Sequence, residues 1–435
     1  MTSKIAAVLL IAVLGVALWG GSAPERAQSV LDEVYSAIGK RHFDEHFAEN
    51  YRKHYLKHQP AVLKAVNDAE LAAALNEMLR DFGDSHLMVQ PPLSSSMTKA
   101  ARQVAVKSSK TSPEAAAKNG KYPLRSVKPG TGTGIDLIES ADGIVIWRVE
   151  TGSPAASAGL KPGAIIRKIN GYELAADGDP MWLVIARQIL DRTALDGKVH
   201  LELGDDKQSA PTMLTPASVT KQWMQLPGGP SLRGSYYSEL RKDGVGYIHF
   251  DWFTLEMIRN IRCDIRGKLK DATGLVLDLR GNGGGTFNSI DWLASWTTPK
   301  KITFGTLKID RTPLKLTSNP QSKGFKKNLA VIIDKNSFSS AEIFAAGIQD
   351  AGAGKIYGST SGGLCLPSMF LTLPSGFRLQ TIIGEEIRTS GKHIEKNGVT
   401  PDVEVRATAK GLSAGIDAPV ERAAADLLKL AANTE

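Results

Sequence analysis

The feature that most constrains this chain is an apolar run that ends in a cluster of glycines. Residues 274–279 read Gly-Leu-Val-Leu-Asp-Leu, and Arg280-Gly281-Asn282 leads directly into glycines at 283, 284 and 285. An apolar run of this length, bounded by glycine, predicts a strand buried in a sheet. Glycines let backbone N–H groups approach a ligand closely, where they bind a phosphate or stabilise an oxyanion. The spacing matches neither GxGxxG nor a P-loop, so both chemistries stay open at this point.

Strands and helices alternate through the last half of the chain, from about residue 219 to residue 435. Strands are predicted at 245–250, 274–279 and 329–334, and helices at 257–269 and 340–350. This alternation predicts an α/β core built on a largely parallel sheet.

Length and charge limit the number of domains and the class of partner. The 435 residues predict two or three domains, and the net charge is +8. The positive residues are scattered and accompany no recognition motif, so we expect no nucleic-acid partner. Cys263 and Cys365 form no CxxC pair, zinc ribbon or disulfide framework, and the sequence leaves open whether they pair with each other.

The N-terminus has the pattern of a targeting segment. Lys4 precedes an apolar run over 5–19, and small residues follow up to Ala23. This pattern predicts a signal peptide over 1–23, with an uncleaved membrane anchor as the alternative. The run is short for a full membrane span. Either way, we expect the bulk of the chain to be exported, as a periplasmic or secreted protein or one held at the inner membrane.

Two segments of different character follow the targeting segment. Residues 24–91 are predicted to form a helical N-terminal domain, because apolar residues such as Val30, Val34 and Ile38 recur at helix spacing. Residues 92–127 are rich in Ser, Lys and Ala, and we interpret them as a flexible linker.

Short apolar runs punctuated by glycine extend over residues 128–218. Within them, Gly152-Ser153-Pro154-Ala155-Ala156 leads to Gly159-Leu160-Lys161-Pro162-Gly163, and Ile165-Ile166-Arg167-Lys168-Ile169-Asn170-Gly171 follows. This segment resembles a PDZ domain of the bacterial protease type. PDZ grooves bind an extended peptide as an added strand and hold its terminal carboxylate in backbone N–H groups. The resemblance makes Gly132-Thr133-Gly134, with Ile135, the candidate peptide-binding loop; the alternative is a domain that only packs as a lid or spacer.

A second segment, Asn336-Ser337-Phe338-Ser339-Ser340-Ala341-Glu342, passes from a predicted strand into a helix. A serine at this point of a helix is ordinarily an N-cap. In this order, however, the PDZ pattern, the glycine cluster and this segment together resemble the carboxyl-terminal-processing (tail-specific) serine proteases. The resemblance implies a multidomain α/β protein with a helical N-terminal region, a PDZ β-domain and a protease core of the ClpP/crotonase-like type. It makes Ser339 the nucleophile, and Ser340 with Gly284 or Gly285 the oxyanion hole.

The resemblance points to two different positions for the general base. Well-known members use a lysine at the position that Leu364 occupies here, whereas Asp350 matches a family acid and is a candidate supporting residue. A branch resembling the tricorn protease core instead uses a histidine and a glutamate. Gly83-Asp84-Ser85-His86 and Ile394-Glu395-Lys396-Asn397-Gly398-Val399 match that branch. The resemblance therefore implies His86 as general base and acid, and Glu395 as the carboxylate that orients it; a lysine base such as Lys392 is the alternative.

The sequence thus predicts an exported serine endopeptidase that cleaves protein or peptide substrates through an acyl-enzyme, without a metal or organic cofactor. One alternative is a catalytically silent relative that binds peptides or ligands. Another is a zinc peptidase, because His42-Phe43-Asp44-Glu45-His46 reads HxxEH. His249, on a predicted strand, is either a core residue or a second candidate base.

Overall fold

The computed structural model describes residues 22–42, 47–92, 130–174, 181–204, 212–220, 222–226, 229, 231–309 and 312–433. Nearly all of the predicted targeting segment and of the predicted linker lies outside these residues, as does most of the HxxEH pattern. The chain divides into two compact units. Unit 1 comprises residues 1–127, 227–231 and 367–384, and unit 2 comprises the remainder. No described helix is long and apolar enough to cross a bilayer.

Unit 1 contains three helices and a small sheet. The helices are α1 (Ala23–Gly39), α2 (Phe47–Val62) and α3 (Asp68–Arg80). The apolar face predicted for α1 is buried, with Val30, Val34 and Ile38 fully covered. Asn67 caps α3, because its side-chain oxygen accepts hydrogen bonds from the N–H groups of Ala69 and Glu70.

The sheet of unit 1 joins segments that are far apart in the sequence. Strand β1 (Met88–Gln90) pairs antiparallel with β20 (Arg378–Ile382), which pairs antiparallel with β19 (Ser368–Thr372). Both β19 and β20 lie within the segment predicted as the protease core. In the structure they pack with unit 1, because β20 shares its backbone hydrogen bonds with the strand that follows α3.

The first part of unit 2 has the small mixed fold expected of residues 128–218. Its strands are β2 (Gly130–Gly132), β3 (Ile135–Ser140), β4 (Gly143–Val149), β5 (Ile166–Ile169), β6 (Tyr172–Glu173), β7 (Val199–Leu203), β8 (Thr212–Leu214) and β9 (Ala217–Val219). Two helices accompany them, α4 (Pro154–Ser157) and α5 (Met181–Asp196). Strand β2 pairs with β9, β3 pairs with β4, and a further sheet has the order β6-β5-β7-β8. One apolar cluster, which includes Ile146, Ala186 and Leu201, fills the space between these strands and α5.

The core of unit 2 is a six-stranded sheet of order β12-β13-β14-β17-β18-β22. Its strands are β12 (Tyr236–Leu240), β13 (Gly246–Phe250), β14 (Gly274–Asp278), β17 (Asn328–Ile333), β18 (Gly354–Gly358) and β22 (Val403–Glu404). All neighbours are parallel except β12 and β13. The predicted parallel α/β core is therefore confirmed.

Helices cover both faces of this sheet, which is why its central strands β13, β14 and β17 are buried and largely apolar. The covering helices are α6 (Leu255–Arg266), α7 (Asn288–Thr297), α8 (Ser340–Asp350) and α10 (Ala418–Ala432). The short helix α9 (Ala409–Ser413) packs instead against the PDZ domain, where Leu412 contacts the cluster of Ile138 and Val145. Because side chains alternate along a strand, Leu275 and Leu277 pack into the cluster that includes α6, α7 and α8, whereas Val276 packs against α10. Full burial of each such leucine contributes about 1.5–3 kcal/mol.

The remaining strands of unit 2 are peripheral. Strand β10 (Gln222–Gln225) pairs with β11 (Ser231–Gly234), and a three-stranded sheet has the order β16-β15-β21. The strands of that sheet are β15 (Thr303–Ile309), β16 (Thr312–Thr317) and β21 (Gly384–Ile387).

The topology brings the two diagnostic segments of the sequence together. Strands β14 and β17 are parallel neighbours, so their carboxyl ends meet at one edge of the sheet. The glycine cluster follows β14 and Ser339 follows β17. Ligands in open α/β sheets bind at this edge, which makes it the place to look for the site.

Candidate active site

Ser339 sits on a strained turn at the start of α8. Its φ is 55° and its ψ is −118°, a region that residues with a side chain rarely adopt. Such strain costs on the order of 1–3 kcal/mol and persists only where the surroundings enforce it. The N–H of Ser339 donates to the carbonyl of Leu364 and to the carboxylate of Glu342, both at 2.9 Å. The side chain itself is partly exposed, so substrate can reach its hydroxyl.

The glycine cluster packs directly on this turn. A Cβ added to Gly284, whose φ is +85°, would lie 2.7 Å from the Cβ of Ser339 and 2.9 Å from the carbonyl oxygen of Phe338. Asn282 holds Gly284 close to the serine turn. Its side chain accepts a hydrogen bond from the N–H of Gly284 at 2.9 Å and donates one to the carbonyl of Phe250 at 2.7 Å. The residue at 284 therefore has to be glycine.

Two backbone donors beside Ser339 are left available. Ser340 is the first residue of α8, where helical N–H groups have no partner within the helix. Among the described residues, the N–H groups of Ser340 and Gly285 donate to no acceptor. Gly285 is held in place by its carbonyl, which accepts from the hydroxyl of Ser340 at 3.1 Å. The N–H of Gly284, by contrast, is used by Asn282, so the geometry favours Gly285 of the two glycines.

Glu342 is a buried carboxylate that ties the serine turn to the following loop. It accepts hydrogen bonds from the hydroxyl of Ser361 and from the N–H groups of Ser339, Gly363 and Leu364, at 2.6–3.1 Å. Burial raises the pKa of Glu342 to about 7, although these four bonds act in the opposite direction. No role was predicted for Glu342 from the sequence, although the Ser-x-x-Glu spacing of a capping box was an available signal.

Glu395 is anchored on the same loop. Its Oε2 accepts from the N–H of Cys365 at 2.7 Å, and the preceding residue, Leu364, accepts from the N–H of Ser339. Residues 364 and 365 therefore link the predicted nucleophile to Glu395, the carboxylate predicted to orient the general base. Burial raises the pKa of the Cys365 thiol, and the charges of Glu342, Glu386 and Glu395 raise it further, which makes this cysteine a poor nucleophile.

His86 lies in unit 1, just after α3. It adopts a φ of 65°, and its Nδ1 lies 2.7 Å from the hydroxyl oxygen of Ser85. Burial lowers the pKa of His86 to about 4, so the imidazole is neutral at pH 7. In the tautomer in which Nδ1–H donates to Ser85, Nε2 is the nitrogen that accepts a proton.

Comparison with known proteins identifies the two parts of unit 2. Residues 125–178 match the family model of the PDZ domain, and residues 244–405 match that of Peptidase family S41. Over residues 244–405 the core is therefore similar to peptidase family S41. A probable CtpA-like serine protease of Staphylococcus aureus is 25% identical over 285 residues, covering 63% of this chain and 52% of that protein. The corresponding protein of Staphylococcus haemolyticus is 24% identical over 277 residues, with the same coverage. The chain thus spans about half the length of the curated relatives that it matches.

Solved structures agree on the fold. Mature CPAF, in a structure with lactacystin, matches with a TM-score of 0.58 and 13% identity, covering 94% of this chain and 98% of that chain. The tricorn protease matches with a TM-score of 0.54 and 18% identity, covering 94% of this chain and 37% of that one. The predicted fold class is therefore confirmed, and the predicted family agrees with the matches to the PDZ domain and Peptidase family S41 models.

The S41 core keeps several other sequence candidates away from the serine. Asp350 ends the helix that Ser339 begins, about 16 Å away by helical rise. It pairs instead with Arg388, and the hydroxyl of Thr389 donates to it at 2.8 Å. Lys392 is exposed. His249 is buried, with its Nε2 3.4 Å from Asp251 and its ring against Trp147, as expected of a core residue.

The PDZ domain presents the loop that the sequence singled out. The carbonyls of Thr133 and Gly134 accept from Ala155 and Glu150 within the domain. In the described part of the chain, the N–H groups of the same two residues donate to no acceptor. Thr133 and Ile135 are buried, and the outer edge of β3 pairs with no other strand among those described.

The PDZ domain also contacts the S41 core through Arg187 of α5. Its guanidinium donates to the carbonyl of Leu137 on β3 at 2.7 Å and to the carbonyl of Gly281 in the glycine cluster at 2.6 Å. Sequence reasoning missed this residue, because its partners lie 50 and 94 positions away along the chain.

Proposed function

We propose that this chain is a serine endopeptidase of the carboxyl-terminal-processing type, which hydrolyses peptide bonds through an acyl-enzyme. The observation that carries the proposal is the strained, partly exposed Ser339 beside two backbone N–H groups without an acceptor among the described residues. A serine held this way at a helix N-terminus presents its hydroxyl to an acyl group, and the two donors suit a developing oxyanion.

In the proposed reaction, the hydroxyl oxygen of Ser339 attacks the scissile carbonyl while Nε2 of His86 takes its proton. The N–H groups of Ser340 and Gly285 stabilise the negative oxygen of the tetrahedral intermediate. When the C–N bond breaks, His86 returns the proton to the leaving amine. Water, deprotonated by His86, then hydrolyses the ester on Ser339. Glu395 supplies the negative charge that stabilises the imidazolium.

Two features support His86 over a lysine as the base. The position of the family lysine is Leu364, whose side chain cannot carry a proton, and Lys392 is exposed next to the Asp350 end of α8. The lowered pKa of His86 keeps its imidazole neutral and able to accept a proton across the physiological range.

The PDZ domain suggests the class of substrate. A peptide can add to the outer edge of β3, with its terminal carboxylate at the N–H groups of Thr133 and Gly134. We infer that unfolded carboxyl-terminal tails of exported proteins are the substrates. The apolar run after Lys4 supports export, with cleavage of a signal or retention as a membrane anchor as the two routes.

The test is cleavage of an unfolded protein by the mature chain, beside the variants Ser339→Ala, His86→Ala and Glu395→Gln. We expect wild type to cleave, the first two variants to be inactive, and Glu395→Gln to retain partial activity. Full activity of His86→Ala would remove the histidine from the mechanism and leave the serine. An inactive wild type that binds tail peptides would instead favour the second candidate, a silent peptide-binding relative, which the leucine at position 364 supports.

A further inference from the structure

The edge of the six-stranded sheet opposite the candidate active site is rich in lysine. Strands β14, β17 and β18 are parallel neighbours, with Gly274 opposite Asn328 and Leu329 opposite Gly354, so their amino ends lie side by side. Because adjacent strands are about 4.8 Å apart, the three amino ends fall within about 10 Å of one another. Exposed lysines lie close in sequence to each end, and we call them the lysine edge: Lys268, Lys270, Lys323, Lys326, Lys327 and Lys355.

The carboxylates beside the lysine edge are already engaged. Asp271 pairs with Lys270 at 2.6 Å, and Asp264 accepts hydrogen bonds from the hydroxyls of Tyr236 and Ser238. Within the described part of the chain, the lysines that lie before or at the start of β17 and β18 form no ion pair. Their positive charge is therefore available to a partner outside the chain.

Exposed aromatic surface accompanies the lysines. Helix α7 ends at this edge, because the carbonyl of Trp296 accepts from the N–H of Phe325, in the loop that precedes β17. Trp292, one turn earlier on the same face of α7, is 50% exposed. The guanidinium of Arg262 lies over the ring of Trp296, at 5.1 Å from its centroid. Tryptophan beside lysine and arginine is the composition of a surface that rests in the headgroup region of a bilayer.

The opposite edge of the same sheet carries negative groups instead. Three carboxylates act on the buried thiol of Cys365: Glu342, Glu386 and Glu395. The Sγ of that residue lies 3.8 Å from the carbonyl oxygen of Ser339, which places the group at the serine turn. Strands of five or six residues separate the two edges by about 16–20 Å. An anionic surface is therefore attracted to the lysine edge and not to the edge with the serine.

An anionic bilayer fits this combination of charge and aromatic surface, because its headgroups attract clustered lysines while its interface accommodates tryptophan. The apolar run after Lys4, which predicts export or anchoring, makes a membrane a partner that the chain encounters. We propose that the lysine edge docks unit 2 onto an anionic phospholipid bilayer, with the serine turn on the side away from the lipid. The inference does not depend on peptidase activity.

The test is co-sedimentation of the full-length chain with two kinds of vesicle. One contains phosphatidylcholine alone, and in the other phosphatidylglycerol replaces a third of that lipid. The apolar run over 5–19 can insert into both, so the ratio of the two partition coefficients isolates the contribution of charge. We expect a ratio well above one that falls as salt is added, because salt screens charges at a surface.

The combined substitutions Lys323→Gln, Lys326→Gln and Lys327→Gln remove half of the lysine edge from one exposed loop. A lysine near an anionic bilayer strengthens binding about fivefold, so the ratio should fall towards one, by up to about 100-fold. Arginines at the same three positions retain the charge, so Lys323→Arg, Lys326→Arg and Lys327→Arg should keep the ratio. This second set separates the loss of charge from a disturbed loop.

The matched control removes the same charge elsewhere in unit 2. Lys161→Gln, Lys198→Gln and Lys410→Gln replace exposed lysines of the PDZ domain and of α9. Because these positions lie outside the lysine edge, the ratio should stay within a few-fold of wild type.

Orientation is measured with a polarity-sensitive fluorophore on Cys263, an exposed residue in the last turn of α6. Cys365 is buried, so the folded chain is labelled at Cys263. Emission should shift to the blue with the vesicles that contain phosphatidylglycerol, and much less after the three glutamine substitutions.

The proposal is overturned if the glutamine substitutions at the lysine edge leave the ratio unchanged, or if the control substitutions lower it equally. It is also overturned if the fluorophore shows no shift while the chain sediments with the vesicles. Binding to polyglutamate that the glutamine substitutions abolish, with the preference for phosphatidylglycerol intact, would identify an acidic polypeptide as the partner and would likewise refute the docking to lipid.

Discussion

At the scale of single residues, the site depends on a few backbone conformations that only a crowded environment maintains. Ser339 and His86 both have positive φ without being glycine. Gly284 sits where a side chain would collide with the serine. Because these conformations are costly in isolation, their presence at the two predicted catalytic residues supports a functional reason for them.

The titration of His86 is the first residue-scale prediction. Burial disfavours the charged imidazolium, so the pKa of His86 falls from 6.5 to about 4. The neutral, proton-accepting form is then present above pH 4 and is lost as the pH falls through that value. The ring resonance absent from the His86→Ala spectrum should titrate near pH 4 by NMR. A midpoint near 6.5 would contradict the buried environment.

Because the unfolded chain binds a proton on His86 near pH 6.5 and the folded chain does so near pH 4, this residue also makes stability depend on pH. Its contribution is constant above the unfolded pKa and falls as the pH drops from about 6.5 to 4. In His86→Ala, the decline of the unfolding free energy over this window should be shallower than in wild type. Equal slopes would mean that burial does not affect this histidine.

Substitution of Gly284 tests the contact between the two diagnostic segments. Gly284→Ala places a methyl group 2.7 Å from the Cβ of Ser339, so either the glycine cluster or the serine turn must move. We expect kcat to fall at least about 100-fold, the loss typical of a disrupted oxyanion hole. Gly352→Ala is the matched control: its φ is also positive, at 55°, but a Cβ there meets nothing within 4 Å. That variant should lose about 1 kcal/mol of stability and keep its kcat.

At the scale of elements, the candidate active site is built from one strand end, one helix start and one loop. Sequence patterns predicted β14, β17 and α8, because local apolar runs, glycines and capping residues indicate a buried strand and a helix boundary. The same patterns gave no information on which loop would close over the serine. Residues 361–364 are fixed by Glu342, through contacts 19 to 22 positions away in the chain. Contacts between residues this far apart cannot be inferred from the local periodicity of the sequence.

The hairpin β19–β20 illustrates the same limit for the fold. Its partner strand, β1, lies nearly 300 positions earlier and outside the segment assigned to the core. Arg187 is likewise recognisable only from its surroundings. Motifs with fixed spacing, such as the PDZ pattern and the two core segments, were therefore predictable, whereas the residues that connect them were not.

Glu342→Gln tests the closure of the loop. Both carboxylate oxygens of Glu342 accept hydrogen bonds, so an amide must turn its NH2 towards two donors. Each unsatisfied buried donor costs about 1–3 kcal/mol, and we expect a loss of that order in urea unfolding together with reduced kcat. Glu385→Gln serves as the control, because Glu385 pairs with the partly exposed Lys308 and its loss should cost below about 1 kcal/mol. Equal stability of the two variants would rule out a special role for Glu342.

At the scale of the whole molecule, the chain forms two units whose boundaries do not follow the sequence. Unit 1 is formed by three separate segments of the chain, whereas the PDZ domain and most of the S41 core lie in unit 2. Within unit 2, Arg280 joins the two parts: it pairs with Asp278 at the end of β14 and donates to Asp417 at 2.7 Å. Asp417 in turn accepts from the indole N–H of Trp147, on β4 of the PDZ domain, at 2.9 Å.

Asp417→Asn should therefore destabilise the packing of the PDZ domain against the core. Arg280 is almost fully buried, and loss of one of its two carboxylates leaves charge that Asp278 alone must neutralise. We expect a loss of about 1–3 kcal/mol in the unfolding free energy. Glu421→Gln, which breaks only the exposed pair with Arg241, should cost below about 1 kcal/mol. A neutral Asp417→Asn variant would contradict the role given to this network.

The most direct test of the central claim is covalent labelling of the folded chain by a fluorophosphonate, read by peptide mass spectrometry. An activated serine reacts through the chemistry that forms an acyl-enzyme, whereas an ordinary N-cap serine does not. We predict a single adduct on the peptide containing Ser339, its absence in Ser339→Ala, and strongly slowed labelling in His86→Ala. A folded wild-type chain that stays unlabelled at Ser339 would contradict the nucleophile assignment.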